Sequence, residues 1–209
     1  MAKQEIRILI PIRSYSLKHY LDSRCIPLRL ADQYLSEAII FSDKLCRNVH
    51  YLLFITNNLG LVYKSPWGLT GSRNAGVTTM TKNGLRCLIP THEAVVVFSG
   101  FMDFLSYLVI KGLDRPECDA IVLNGCSNVE KGMRFMRQHL YVFCYLSMDE
   151  SGRKCQKHLE EHLMGCIIVD RSDTYGGEND LNSYLIRIHN KETAPEFPRR
   201  HKSKSEESL

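Results

Sequence analysis

The segment AVVVF at 94–98 is apolar at every position, and after Ser99-Gly100 comes FMDFLSYLVIK, with its apolar residues at helical spacing. A short unbroken apolar run predicts a strand covered on both faces, here followed by a helix over 101–111. The same rhythm recurs downstream. CDAIVLNG predicts a strand before a helix over 127–139, and LYVFCYL a strand before a helix over 151–164. GCIIVD predicts one more strand, and NDLNSYLIRIH a closing helix. Strands alternating with helices of this length imply right-handed βαβ units around a parallel sheet.

Upstream of Pro90 the pattern differs. Residues 15–38 predict two short helices split at Pro27, a residue suited to the first turn of the second. AIIF, VHYLLFI and GLVYK are β-type runs with turn signals at Ser42-Asp43 and Asn57-Asn58-Leu59-Gly60, which predicts a small antiparallel unit. SPWGLTGSRNAG (65–76) holds three glycines and a proline in twelve residues and predicts a long loop. The fold expected is α/β: a four-stranded, mainly parallel sheet flanked by helices over 90–189, preceded by a small α+β unit over 1–89. The tail 190–209, with two prolines and mixed charge, is expected to be disordered.

Composition narrows the class only modestly. With 44% hydrophobic and 24% charged residues, 209 residues can bury a real core, and a net charge of +4 permits nucleic acid as a partner without requiring it. No run approaches the roughly 20 apolar residues that span a bilayer. The N-terminal apolar stretch is broken by Arg7 and Arg13, too short for a signal sequence. A cytoplasmic protein with its eight cysteines reduced is expected, since no C-x-x-C pair occurs.

In an open α/β sheet, ligands bind beyond the carboxyl ends of the strands. Three such ends carry polar groups here: Ser99-Gly100 with Asp103, Asn124-Gly125, and Ser147-Met148-Asp149. Their convergence is the site expected from the residues alone.

Five segments in order, YLDSRCIPLRLADQY, FSGFMDFLSYL, VLNGCSNVEKG, YLSMDESGRK and DLNSYL, resemble the Toprim domain, most closely in the primase-like proteins of bacterial mobile and conjugative elements. The resemblance covers roughly 16–187. It implies a first strand ending in Glu before Gly, the Glu serving acid/base chemistry, and a third strand ending in Asp-x-Asp that holds Mg²⁺. Here those positions are Ser99, Ser147 and Asp149, with Asp103 also retained. A serine hydroxyl is neutral near pH 7 and supplies neither metal affinity nor proton transfer. The resemblance with these departures implies Mg²⁺ bound weakly or lost, with Asp149 its one expected ligand. No zinc is expected, because nothing here resembles the family's Cys/His module.

Other constellations are weaker. Cys155, His158, His162 and Cys166 share one helix face but spread over about 16 Å, too far for one tetrahedral zinc. Ser99 lacks the G-x-S-x-G surroundings of a nucleophile elbow and reads as a serine capping the next helix. Lys64, Arg73 and Lys82 flank Tyr63 and Trp67, and basic groups among aromatics suit single-stranded nucleic acid. Lys64, Trp67, Arg73 and Lys82 are therefore the expected nucleic-acid contacts. RRHKSK (199–204) reads as a solubilising tail, and Asp170, Asp173 and Asp180 as surface acids that could approach the site.

The leading expectation is a primase-like Toprim protein of a mobile element. It would bind DNA, RNA or nucleotides, have a degenerate metal site and show weak or no nucleotidyl transfer. The resemblance implies replication or mobilisation proteins as partners, and no membrane. Two alternatives stand beside it: a working Mg²⁺-dependent primase using Asp149, Asp103 and displaced acids such as Glu150 or Asp173, and a non-catalytic protein-interaction module.

Overall fold

The computed structural model describes residues 6–42 and 46–193. The chain runs β1 (Ile6–Ile10), α1 (Tyr15–Ser23), α2 (Leu28–Tyr34), β2 (Ser36–Ser42), β3 (Arg47–Ile55), β4 (Leu61–Lys64), β5 (Thr70–Arg73) and β6 (Thr78–Met80). It continues with β7 (Ala94–Phe98), α3 (Phe101–Lys111), β8 (Asp119–Val122), α4 (Val129–Met136), β9 (Tyr141–Tyr145), α5 (Glu150–His162), β10 (Ile167–Asp170) and α6 (Leu181–Thr193).

The first five strands form an antiparallel sheet in sequential order. The second sheet has the order β10-β9-β7-β8-β6. The four strands read from the sequence pair in parallel, as expected. A fifth, β6, joins antiparallel to β8 through Thr78↔Val122 and Met80↔Ala120. Residues 78–80 lie before Pro90, so a segment of the upstream part completes the second sheet. Three residues of Thr-Thr-Met are too short to display a period, which is why the strand was not evident.

All five residues of β7 are buried, and the pleat divides them. Val96 and Phe98 enter one core with Phe104, Leu105 and Leu108 of α3 and Leu181 and Leu185 of α6. Val95 and Val97 enter another with Met133 and Met136 of α4 and Cys155 and Leu159 of α5. Alternate side chains of one strand thus feed opposite faces, the situation that makes an apolar run continuous. The first core also takes Leu17 and Leu21 of α1 and Leu52 and Phe54 of β3. The Phe54 and Phe101 rings stack at 5.5 Å, so the antiparallel sheet rests on α3 through a shared interior.

Several boundaries differ from expectation. β5 lies inside the presumed loop 65–76. It is an exposed edge strand of Thr-Gly-Ser-Arg, specified by pairing to β4 and not by apolar alternation. The helix expected over 127–139 is α4 preceded by a 3₁₀ turn, Cys126–Asn128. Pro27 is the N-cap of α2. α6 continues to Thr193, and residues 194–209, which include most of the expected tail and RRHKSK, lie outside the described residues. No helix among the described residues is long and apolar enough to cross a membrane.

Candidate nucleotide and nucleic-acid cleft

A cleft of about 470 Å³ opens at the carboxyl ends of β7, β8 and β9. Its floor is Ser99 and Gly100 after β7, Asn124 and Gly125 after β8, and Asp149 after β9. Asp103 of α3, with Asp180 and Asn182 around the start of α6, forms one wall. Tyr20 and Arg24 from the end of α1, Val62 and Lys64 of β4 and Thr70 of β5 close it from the antiparallel sheet. The three strand ends do converge, and they meet basic side chains from a second sheet.

The floor is a hydrogen-bonded unit. The Ser147 N–H donates to Ser99 Oγ at 2.9 Å, tying the end of β9 to the end of β7. Ser99 therefore does not cap α3 as expected: Gly100 is the N-cap, and no side chain caps there. Asp149 is the N-cap of α5, its Oδ1 accepting from the Gly152 N–H at 2.8 Å and from the Ser147 hydroxyl at 3.0 Å. A Cβ at Gly152 would strike the Ser147 carbonyl, so this tight approach requires glycine. Gly125, at φ +114°, holds the β8 turn in a backbone region that L side chains rarely adopt.

One carboxylate with an oxygen committed to a helix N-terminus, beside two neutral hydroxyls, is not a donor set for firmly held Mg²⁺. Glu150 does not help. Its carboxylate pairs with Lys154 at 2.6 Å on the outer face of α5. Asp173 lies on the 3₁₀ turn Ser172–Tyr175 and Asp170 accepts from Ser172 N–H, and neither lines this cleft. Asp180 does, while its Oδ1 caps α6 through Ser183 N–H at 2.7 Å. Among the described residues no group of three or more His, Cys, Asp or Glu is disposed to hold a metal ion.

The wall carries unusual electrostatics. Loss of hydration, then the nearby Asp180 charge, pushes the Asp103 carboxyl up to about 7, against hydrogen bonds from the Asn182 and Gly100 backbone and the charge of Lys64. Lys64 is lowered, first by burial and then by Arg24, with Asp103 and Asp180 opposing. Its Nζ donates to Thr70 Oγ1 at 3.1 Å. Arg24 lies over the Tyr20 ring at 5.3 Å and donates to Asn182 Oδ1 at 3.3 Å. Asn182 in turn donates to the Arg24 carbonyl and to Ser106 Oγ, anchoring α1, α3 and α6 together.

A raised carboxyl pKa has a defined linkage. Because its folded value lies above the unfolded one, the favourable contribution of Asp103 is complete below about pH 4 and is lost as pH rises through 7. Asp103→Asn removes that cost, on the order of 2–4 kcal/mol. The melting temperature of the variant is expected to exceed wild type by more at pH 8 than at pH 5. An advantage that fails to grow with pH would exclude a raised Asp103.

The other expected nucleic-acid residues are dispersed. Lys64 alone of the four lines the cleft. Trp67 is not packed inward: it is 61% exposed, with the Arg47 guanidinium 5.9 Å from its ring. Its turn abuts the cleft, since a Cβ at Gly68 would lie 3.7 Å from the Arg24 guanidinium. Arg73 is on β5 and Lys82 in the exposed turn after β6. His158 and His162 stack at 4.2 Å on α5, with His158 Nε2 2.5 Å from Glu130. Arg24 was missed by the sequence reading. It sits in no motif, and only the packing of α1 against α6 delivers it to the site.

Comparison with known proteins agrees with this geometry. Residues 96–185 match the family described as Toprim-like. No curated protein matches the chain by sequence. The structure is similar to the crystal structure of the primase fragment of the bacteriophage T7 primase-helicase protein, at 15% identity and TM-score 0.58, over 92% of this chain and 81% of that one. It is similar to a primase domain of T7 gp4 bound to an RNA/DNA hybrid and dTTP with the lagging-strand polymerase, at 17% identity and TM-score 0.54, over 82% and 86%. The Aquifex aeolicus primase, comprising zinc-binding and RNA polymerase domains, aligns at 15% identity and TM-score 0.56, over 88% of this chain and 55% of that one. The chain is a protein with a primase-like fold, in which residues 96–185 form a Toprim-like domain.

Proposed function

We propose that the cleft binds nucleotides or single-stranded nucleic acid, with nucleotidyl transfer weak or lost, in a primase-like protein of a mobile element. The observation that carries this reading is the floor: Ser99 and Ser147, at the family's acid positions, bond to each other and to Asp149. The cations Lys64 and Arg24 remain on the opposite wall, where a phosphate can meet them. Binding of anions thus survives the loss of the acids that would hold Mg²⁺. Trp67, stacked with Arg47 beside the Arg24 rim, extends the surface for an unstacked base. The T7 relative is a primase domain seen with an RNA/DNA hybrid and dTTP, which supports the same ligand class here.

The test is binding of ATP and of a fluorescent single-stranded oligonucleotide at low salt, alongside primer synthesis with Mg²⁺ or Mn²⁺. Lys64→Ala and Arg24→Ala are each expected to weaken nucleotide binding roughly tenfold, about 1.4 kcal/mol. Affinity for the oligonucleotide should fall steeply with added salt. No detectable affinity at low salt would favour a protein-interaction module. Clear primer synthesis abolished by Asp149→Ala would overturn the loss of catalysis.

A further inference from the structure

Below the cleft floor, on the face of the second sheet covered by α4 and α5, three cysteines gather in one apolar core: Cys126, Cys144 and Cys155. Two of them touch. Cys126 opens the 3₁₀ turn that follows Asn124-Gly125, and Cys155 lies on α5, the helix capped by Asp149. Their thiols share a hydrogen bond, and the Ser99 hydroxyl lies 3.9 Å from Cys126 Sγ. Ser99 Oγ already accepts the Ser147 N–H, so its own proton is available to the Cys126 sulfur.

The pair is asymmetric. Cys126 is partly exposed, whereas Cys155 is 3% exposed. Hydrogen bonds from Cys155, Ser99 and Ser151 hold the Cys126 thiol below the usual thiol range, against burial and the Asp149 charge. Cys155 is raised, first by giving its hydrogen bond to Cys126 and then by burial. Cys144 is buried and raised by loss of hydration, which leaves it inert.

We infer that Cys126 and Cys155 are a peroxide-sensitive dithiol beneath the cleft, Cys126 attacking and Cys155 resolving. The Cys126 thiolate attacks one oxygen of hydrogen peroxide, the O–O bond breaks, and Cys126 sulfenic acid forms with release of hydroxide, which takes a proton to become water. The Cys155 sulfur then attacks the sulfenic sulfur. Its thiol proton and the sulfenic hydroxyl leave as a second water, and a disulfide remains. Two electrons pass from the two thiols to the peroxide. The bond ties the turn carrying Asn124-Gly125 to α5, fixing two edges of the cleft floor.

The test treats the full chain with hydrogen peroxide at pH 7, blocks residual thiols, and maps the cysteines by mass spectrometry. A Cys126–Cys155 disulfide that dithiothreitol reverses is expected. In Cys155→Ser, and separately in Cys155→Ala, Cys126 should stop at the sulfenic acid and be trapped by dimedone. An ordinary thiol is only a few per cent ionised at pH 7, so trapping at Cys126 should be roughly tenfold faster than at Cys87 of the same chain. Cys126 still reduced in treated wild type, or dimedone spread evenly over Cys25, Cys46, Cys87 and Cys126, would overturn the inference. None of these readouts requires that the cleft bind a nucleotide.

Discussion

Ser99→Glu combined with Ser147→Asp is expected to give the cleft a Mg²⁺ affinity that wild type lacks. The two substitutions place carboxylates at the ends of β7 and β9, where Asp149 already stands. The Ser147 backbone N–H that now donates to Ser99 Oγ can donate to a glutamate oxygen instead, so the tie between the strands need not be lost. Without metal, three acids in one cleft beside Asp103 and Asp180 repel, and the double variant should melt below wild type. With metal the repulsion becomes binding energy. If the restored site binds Mg²⁺ near 0.1 mM, 10 mM metal stabilises it by about 2.7 kcal/mol. For a chain of this size that raises the melting temperature by roughly 5 to 10 °C. Wild type should shift by less than about 1 °C under the same conditions. Equal shifts for both proteins would mean that the native floor holds the ion, and the proposed loss of the metal site would fall.

Asp119→Ala is expected to be the most destabilising single change in the second sheet, at about 3–5 kcal/mol. Asp119 is fully buried at the start of β8, at the opposite end of the sheet from the cleft. Its carboxylate accepts from the Thr91 N–H at 2.6 Å, the Thr91 hydroxyl at 2.6 Å and the His92 N–H at 3.1 Å. It also faces His139 Nε2 at 3.1 Å, while His139 Nδ1 lies 2.9 Å from the Phe135 carbonyl. Acceptors at both ring nitrogens call for a proton on each, so the pair is a buried ion pair. Removing the acid strands a charged ring and three donors. The expected loss in melting temperature is roughly 10 °C. The effect should depend on pH in a known direction. Hydrogen bonds from Thr91, His139 and His92 outweigh burial and hold the Asp119 carboxyl below the usual range. Its stabilisation is therefore present above about pH 4 and lost as pH falls through the folded value, so variant and wild type should converge in acid. Urea unfolding at pH 7 and pH 3 measures both parts. A difference that persists unchanged at pH 3 would show that packing, and not the ionised carboxylate, carries the effect.

Much of this architecture was legible in the chain. AVVVF, AIV and YVFCY are buried on both faces because helices cover both, and that burial is what an unbroken apolar run records. Gly112, at φ +66° just past α3, ended that helix where expected. The strand ends were legible as well, because in a parallel sheet they must share one edge, and so Ser99, Asn124 and Asp149 could be placed together before any coordinates. β5 and β6 were not legible. Edge strands of Thr, Ser and Gly carry no period, and only their partners specify them.

The chain by itself determined the sheet of four parallel strands, the edge where the site lies, and the replacement of two expected acids by serines. Each follows from local residue type and from the alternation or continuity of apolar positions. The tertiary structure alone decided that Arg24 and Lys64 face those serines, that Asp149 spends one oxygen on capping α5, and that Cys126 meets Cys155. These are contacts between elements far apart in sequence. No periodicity encodes them, because they are set by how the helices and sheets pack and not by the preferences of any one segment.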